Sequence, residues 1–77
     1  MEARVRDVIV AHLGSDPAQV HARARLGADL GAGPLDLIEL LIGLEQVFDT
    51  ELLAAAPRQP STVAELVDVV LNRVRLE

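Results

Sequence analysis

The sequence predicts a small all-α bundle of four helices, three main ones and a short third, with a long loop between helices one and two. Three observations carry this. Apolar residues recur with a helical period in three separate stretches. The chain is 51% hydrophobic, yet nearly all of that is Leu, Val, Ala and Ile, with Phe48 the single aromatic. Such a composition suits helix packed on helix. Gly, Pro, Ser and Thr stand where those stretches should start or stop. At 77 residues the chain makes one domain, close to the lower limit for a self-sufficient hydrophobic core. Residues 1–75 are assigned to it, and Leu76-Glu77 reads as a cloning scar set aside from the fold.

Glu2 to Leu13 forms the first helix. Val5, Val8, Ile9, His12 and Leu13 take the i, i+3, i+4, i+7, i+8 positions of one face, and Gly14 supplies the stop. His12 shares the apolar side but lies in the last turn, where the helix dipole favours a cation. A structural histidine is expected there. Residues 14–33 form the long connection. Asp16-Pro17 suits the N-cap and first position of one short helical turn through Val20. Leu26 and Leu30 are expected to drop into the core and pin the loop. A connection this long without regular structure is usually either functional or a wrong assignment, and the functional reading is the expectation here.

Helix two runs from Pro34 or Leu35 to about Asp49. Proline suits the first helical position because its φ is already helical and its missing N–H had no partner there. Gly33 then falls at the N-cap, and Asp36 meets the positive end of the helix dipole. Stepping around the helix at about 100° per residue gathers Leu37, Leu40, Leu41, Leu44, Val47 and Phe48 on a core arc. Asp36, Glu39, Gly43 and Gln46 form a narrow polar stripe. Leu35, Ile38 and Ile42 fall opposite the core, between that stripe and Glu45. A helix apolar nearly all round is usually buried, but so short a chain cannot cover both sides. The outer strip, edged by carboxylates, therefore has the outline of a docking surface.

Glu51 to Ala56 fits the short third helix, closed by Pro57. Pro60 and Ser61 mark another break. Thr62-Val63-Ala64-Glu65 matches a capping box, with Thr62 capping and Glu65 reaching back. The last helix follows, burying Val63, Leu66, Val67, Val70 and Val74 while Glu65, Asp68 and Asn72 face water.

The net charge of −5 is unevenly placed: residues 26–57 hold Asp29, Asp36, Glu39, Glu45, Asp49 and Glu51 and no basic residue. Such a middle third repels nucleic acid phosphates and attracts a basic patch on a protein partner. The absence of cysteine excludes disulfides, thiolate metal sites and a thiol nucleophile. His12 and Ser15 straddle a helix end with no carboxylate to orient the imidazole, so no enzyme activity is expected. The two histidines are too few and too isolated for a catalytic metal site. No apolar run is long enough to span a membrane, and the opening residues lack the apolar core of a signal peptide. These features fit a cytoplasmic monomer.

The run Leu26-Gly27-Ala28-Asp29-Leu30-Gly31-Ala32-Gly33-Pro34-Leu35-Asp36-Leu37-Ile38-Glu39-Leu40 resembles the acyl carrier protein signature. The likeness continues through Leu44-Glu45, Phe48-Asp49-Thr50-Glu51 and Ser61-Thr62-Val63 and covers essentially the whole chain. Members of that family join a 4′-phosphopantetheine to the serine of an Asp-Ser-Leu motif and carry acyl groups as thioesters on its thiol. Here the motif reads Gly33-Pro34-Leu35. Pro34 stands at the serine position without a hydroxyl, Gly33 replaces the acid, and Ser15, Thr50, Ser61 and Thr62 lie elsewhere. The resemblance thus implies a divergent, non-catalytic member with no covalent cofactor.

By the same resemblance Leu35, Asp36, Ile38, Glu39, Ile42 and Glu45 meet a basic, apolar patch on a partner. That partner is of synthase, transferase or ligase type, from fatty-acid, lipid or polyketide biosynthesis. Ala54-Ala55-Ala56 stands where many members carry acids. Two other readings remain open. One is an ordinary thioester carrier whose parent gene encodes Asp-Ser at these positions. The other is a non-covalent binder of acyl chains between the helices.

Overall fold

Helix α1 spans Glu2–Leu13, a 3-10 turn covers Pro17–Gln19, α2 spans Pro34–Phe48 and α3 spans Val63–Leu76. These come from a computed structural model, which describes residues 2–53 and 60–76. The three long helices start and stop where local signals place them. Gly14 takes a left-handed φ of +63° and its N–H donates to Val10 O at 2.9 Å, closing α1 as a glycine after a helix does. Asp16 caps the 3-10 turn, its Oδ1 accepting from Ala18 N–H at 3.0 Å, with Pro17 next.

The expected short third helix is the exception. Its first residues, Glu51 to Leu53, are not helical, and residues 54–59 lie outside the described part of the chain.

The core draws on every element. Val5 and Ile9 come from α1, Leu40, Leu41 and Leu44 from α2, and Val63, Leu66, Val67 and Val70 from α3. The connections add Val20, Ala24, Leu26 and Leu52. Burying each large aliphatic side chain contributes about 1.5–3 kcal/mol before the entropic cost of ordering it. Leu30, Leu37, Phe48 and Val74 pack against the edge of this cluster. Val47, placed on the core arc by periodicity, is instead 39% exposed. It sits at the margin of that arc in the last turn of α2, where burial is partial.

The long connection does a structural job that periodicity could not show. The first N–H groups of a helix lack intrahelical acceptors. For α3 the loop supplies them: Val63 N–H donates to Ala24 O at 3.0 Å and Ala64 N–H to Ala22 O at 2.9 Å. Leu26 N–H returns a bond to Ser61 O at 2.8 Å, giving an isolated antiparallel bridge between Arg25 and Thr62. The capping box closes the rest. Thr62 Oγ1 accepts from Glu65 N–H at 3.2 Å, and Glu65 reaches back to the Thr62 hydroxyl rather than to its backbone.

Candidate functional site

The candidate site is the outer face of α2 and the turns at its two ends. At the start, Gly33 is the N-cap and Pro34 the first helical residue. Asp36 Oδ2 accepts from Gly33 N–H at 2.9 Å. This is one half of a capping box; glycine has no side chain to return the other half. The 15 residues of α2, Pro34–Phe48, include no Ser, Thr, Tyr, Cys or Lys. No side chain on this helix therefore offers a hydroxyl or a thiol.

Along the outer face Leu35 is 66% and Ile42 40% exposed, with Ile38 partly exposed beside them. Glu39 is four residues after Leu35 and three before Ile42, so it lies between them on the helix surface. It is exposed, and its carboxylate makes no hydrogen bond or ion pair among the described residues.

Glu45 is placed differently. Its Oε2 accepts from Leu52 N–H at 2.8 Å and Leu53 N–H at 3.0 Å. The bond from Leu53, then that from Leu52, holds its carboxyl below the ordinary 4.5. Two backbone N–H groups of the turn after α2 are thereby tied back to the helix. Asp49, in the left-handed conformation at φ 51°, turns the chain so that this contact can form. Leu53 is left 42% exposed past the end of α2. Sequence periodicity could not find it, because it lies beyond the helix.

Gly43 does not belong to a solvated stripe. The His12 ring of α1 lies against it, close enough that a β-carbon there would stand 2.6 Å from His12 Cε1. His12 Nδ1 is 3.2 Å from Val8 O, so the histidine is structural, as expected. At the other end of the same interface the Arg4 guanidinium sits 5.3 Å from the centre of the Phe48 ring, a cation–π contact. From α3, Arg73 reaches an open depression lined by Glu45, Asp49, Thr50 and Glu51, bringing a cation to the acidic end of α2.

The structure thus gathers Leu35, Ile38, Glu39 and Ile42 on one solvent face and gives Asp36 and Glu45 backbone partners at its two flanks. Over 71 residues the chain is 37% identical to an acyl carrier protein of Phenylobacterium zucineum strain HLK1, covering 92% of this chain and 90% of that protein. This chain belongs to the acyl carrier protein family. No protein-family model matches it. The all-helical bundle agrees with the family assignment. No helix among the described residues is long and apolar enough to cross a membrane.

Proposed function

We propose that this acyl carrier protein relative works by docking to a protein partner through α2 and carries no covalent 4′-phosphopantetheine. The observation behind this reading is Pro34 at the first position of a helix whose outer strip is still apolar and exposed. Proline inside a helix costs about 3 kcal/mol or more, but at the first position it costs little. The bundle and its docking face can therefore persist while the attachment hydroxyl is gone. Leu35, Asp36, Ile38, Glu39, Ile42 and Glu45 form the face and its borders. The partner is an apolar patch bearing basic residues on a synthase, transferase or ligase of fatty-acid, lipid or polyketide type. The protein acts as a cytoplasmic monomer without catalysis of its own.

Intact-mass measurement after incubation with a phosphopantetheinyl transferase and coenzyme A tests the first half. The expected mass is unchanged; the gain of one phosphopantetheine would restore the ordinary carrier role. Binding to carrier-dependent enzymes encoded beside this gene tests the second half. Ile42→Ala and Glu39→Lys should each weaken it, and equal binding by both variants would move the docking face elsewhere.

A further inference from the structure

Ala3, Arg6, Asp7 and Val10 follow one another along α1 at the i, i+3, i+4, i+7 spacing of one stripe. The residues of α1 that meet α2, Arg4 and His12, lie on another. With Pro17 and Val20 from the 3-10 turn, the first stripe lines a depression of about 200 Å³.

Arg6 is held in place at this depression. Its Nε–H donates to Val20 O at 2.8 Å in a partly buried contact. Val20 is itself buried, and its N–H donates to Pro17 O at 3.2 Å. One guanidinium donor is thereby spent on the backbone, and the planar group is oriented by it. The remaining donors, on Nη1 and Nη2, make no hydrogen bond or ion pair among the described residues. Asp7 lines the same depression, exposed and not paired with Arg6.

A guanidinium already fixed in direction matches a carboxylate through parallel N–H···O bonds, and less ordering entropy is left to lose when the ligand arrives. Ala3, Val10 and Pro17 give the walls methyl and methylene surface. The volume is below the roughly 300–1,000 Å³ of a site for a drug-sized molecule, so the ligand is small. The lining offers one cation, and the Asp7 carboxylate disfavours a second negative charge on the ligand.

We propose that this depression binds a short aliphatic monocarboxylate, its carboxylate on the Arg6 Nη groups and its alkyl chain against Val10 and Pro17. The site is separate from the α2 face and independent of the docking reading above.

Sodium butyrate, titrated into ¹⁵N-labelled protein against sodium chloride at constant ionic strength, is the probe. The amides of Arg6, Val10 and Val20 should move saturably with a Kd of about 1–10 mM, the scale open to a ligand of so few atoms. Formate should bind about tenfold more weakly, because it lacks the alkyl carbons that the walls cover. Inorganic phosphate should also bind more weakly than butyrate. Arg6→Gln should lose the binding. Asp7→Asn leaves Arg6 and its bond to Val20 intact and should tighten butyrate about two- to threefold, the weight of one screened surface charge.

Amides that stay still, or that move alike in Arg6→Gln, overturn the proposal. So does formate or phosphate binding as tightly as butyrate, which would make Arg6 an unselective surface cation. Should Arg6→Gln loosen the fold, Asp7→Asn decides alone: butyrate binding unchanged or weakened in that variant overturns the proposal.

Discussion

The His12 ring occupies the space that a β-carbon on Gly43 would need, with Cε1 2.6 Å and Nε2 2.7 Å from that position. Glycine inside a helix costs about 1 kcal/mol relative to alanine, so this glycine is retained against local preference. Gly43→Ala alone should change stability little, because the gain in helix propensity is offset by displacing the imidazole from α2 and from Val8 O. In a His12→Ala background the same substitution should stabilise by about 1 kcal/mol. Urea denaturation of the four proteins gives the coupling directly. Equal effects in both backgrounds would mean that the ring does not constrain position 43.

Glu45 makes the turn after α2 sensitive to acid. Its carboxyl lies below the ordinary 4.5 in the folded chain, while unfolding returns it to the ordinary value. The stabilisation is therefore complete above 4.5 and is lost as pH falls through the depressed folded value. Glu45→Gln should cost about 1 kcal/mol at neutral pH, the scale of a charged hydrogen bond at a partly exposed site. The gap between the two proteins should narrow well below 4.5. Hydrogen exchange at the Leu52 and Leu53 amides should quicken in the variant under neutral conditions.

Asp49 is the one described non-glycine residue with positive φ, at 51°. A left-handed residue other than glycine is strained by about 1 kcal/mol. Asp49→Gly should recover much of this and raise the melting temperature by several degrees, since 1 kcal/mol moves a domain of this size by about 4–8 °C. A lower melting temperature would show that the carboxylate is worth more than the strain.

Restoring the family motif tests what Pro34 removes. Gly33→Asp with Pro34→Ser should keep the bundle. The loss of proline costs about 0.4–1 kcal/mol through the unfolded chain, offset in part by a better N-cap. The double variant should gain one phosphopantetheine from a transferase and coenzyme A, read by intact mass. If it stays unmodified, the departure at Ala54-Ala55-Ala56 has removed transferase recognition as well.

The fold was legible wherever a local signal decided it. Gly14, Gly33-Pro34 and Thr62 bound the helices in sequence and in structure alike. The outer strip was equally legible, because Leu35, Ile38 and Ile42 follow from the helical period alone. What periodicity reports is an angle, not a depth. Val47 has a core-facing angle and is still 39% exposed. Gly43 has a polar-stripe angle and the end of another helix above it. Which carboxylates stay free was also beyond reach, since Glu45 finds its donors in a turn seven and eight residues away.

The exchange of bonds between residues 22–26 and 61–64 ties the order of folding to chain closure. Neither segment finds these protein partners until the two meet, and bringing distant segments together is the slow, entropy-limited part of assembling a small domain. Helices α1 and α2, joined by contacts such as His12 with Gly43, can pair without α3. The first turn of α3 cannot settle until the long connection has been laid down beneath it.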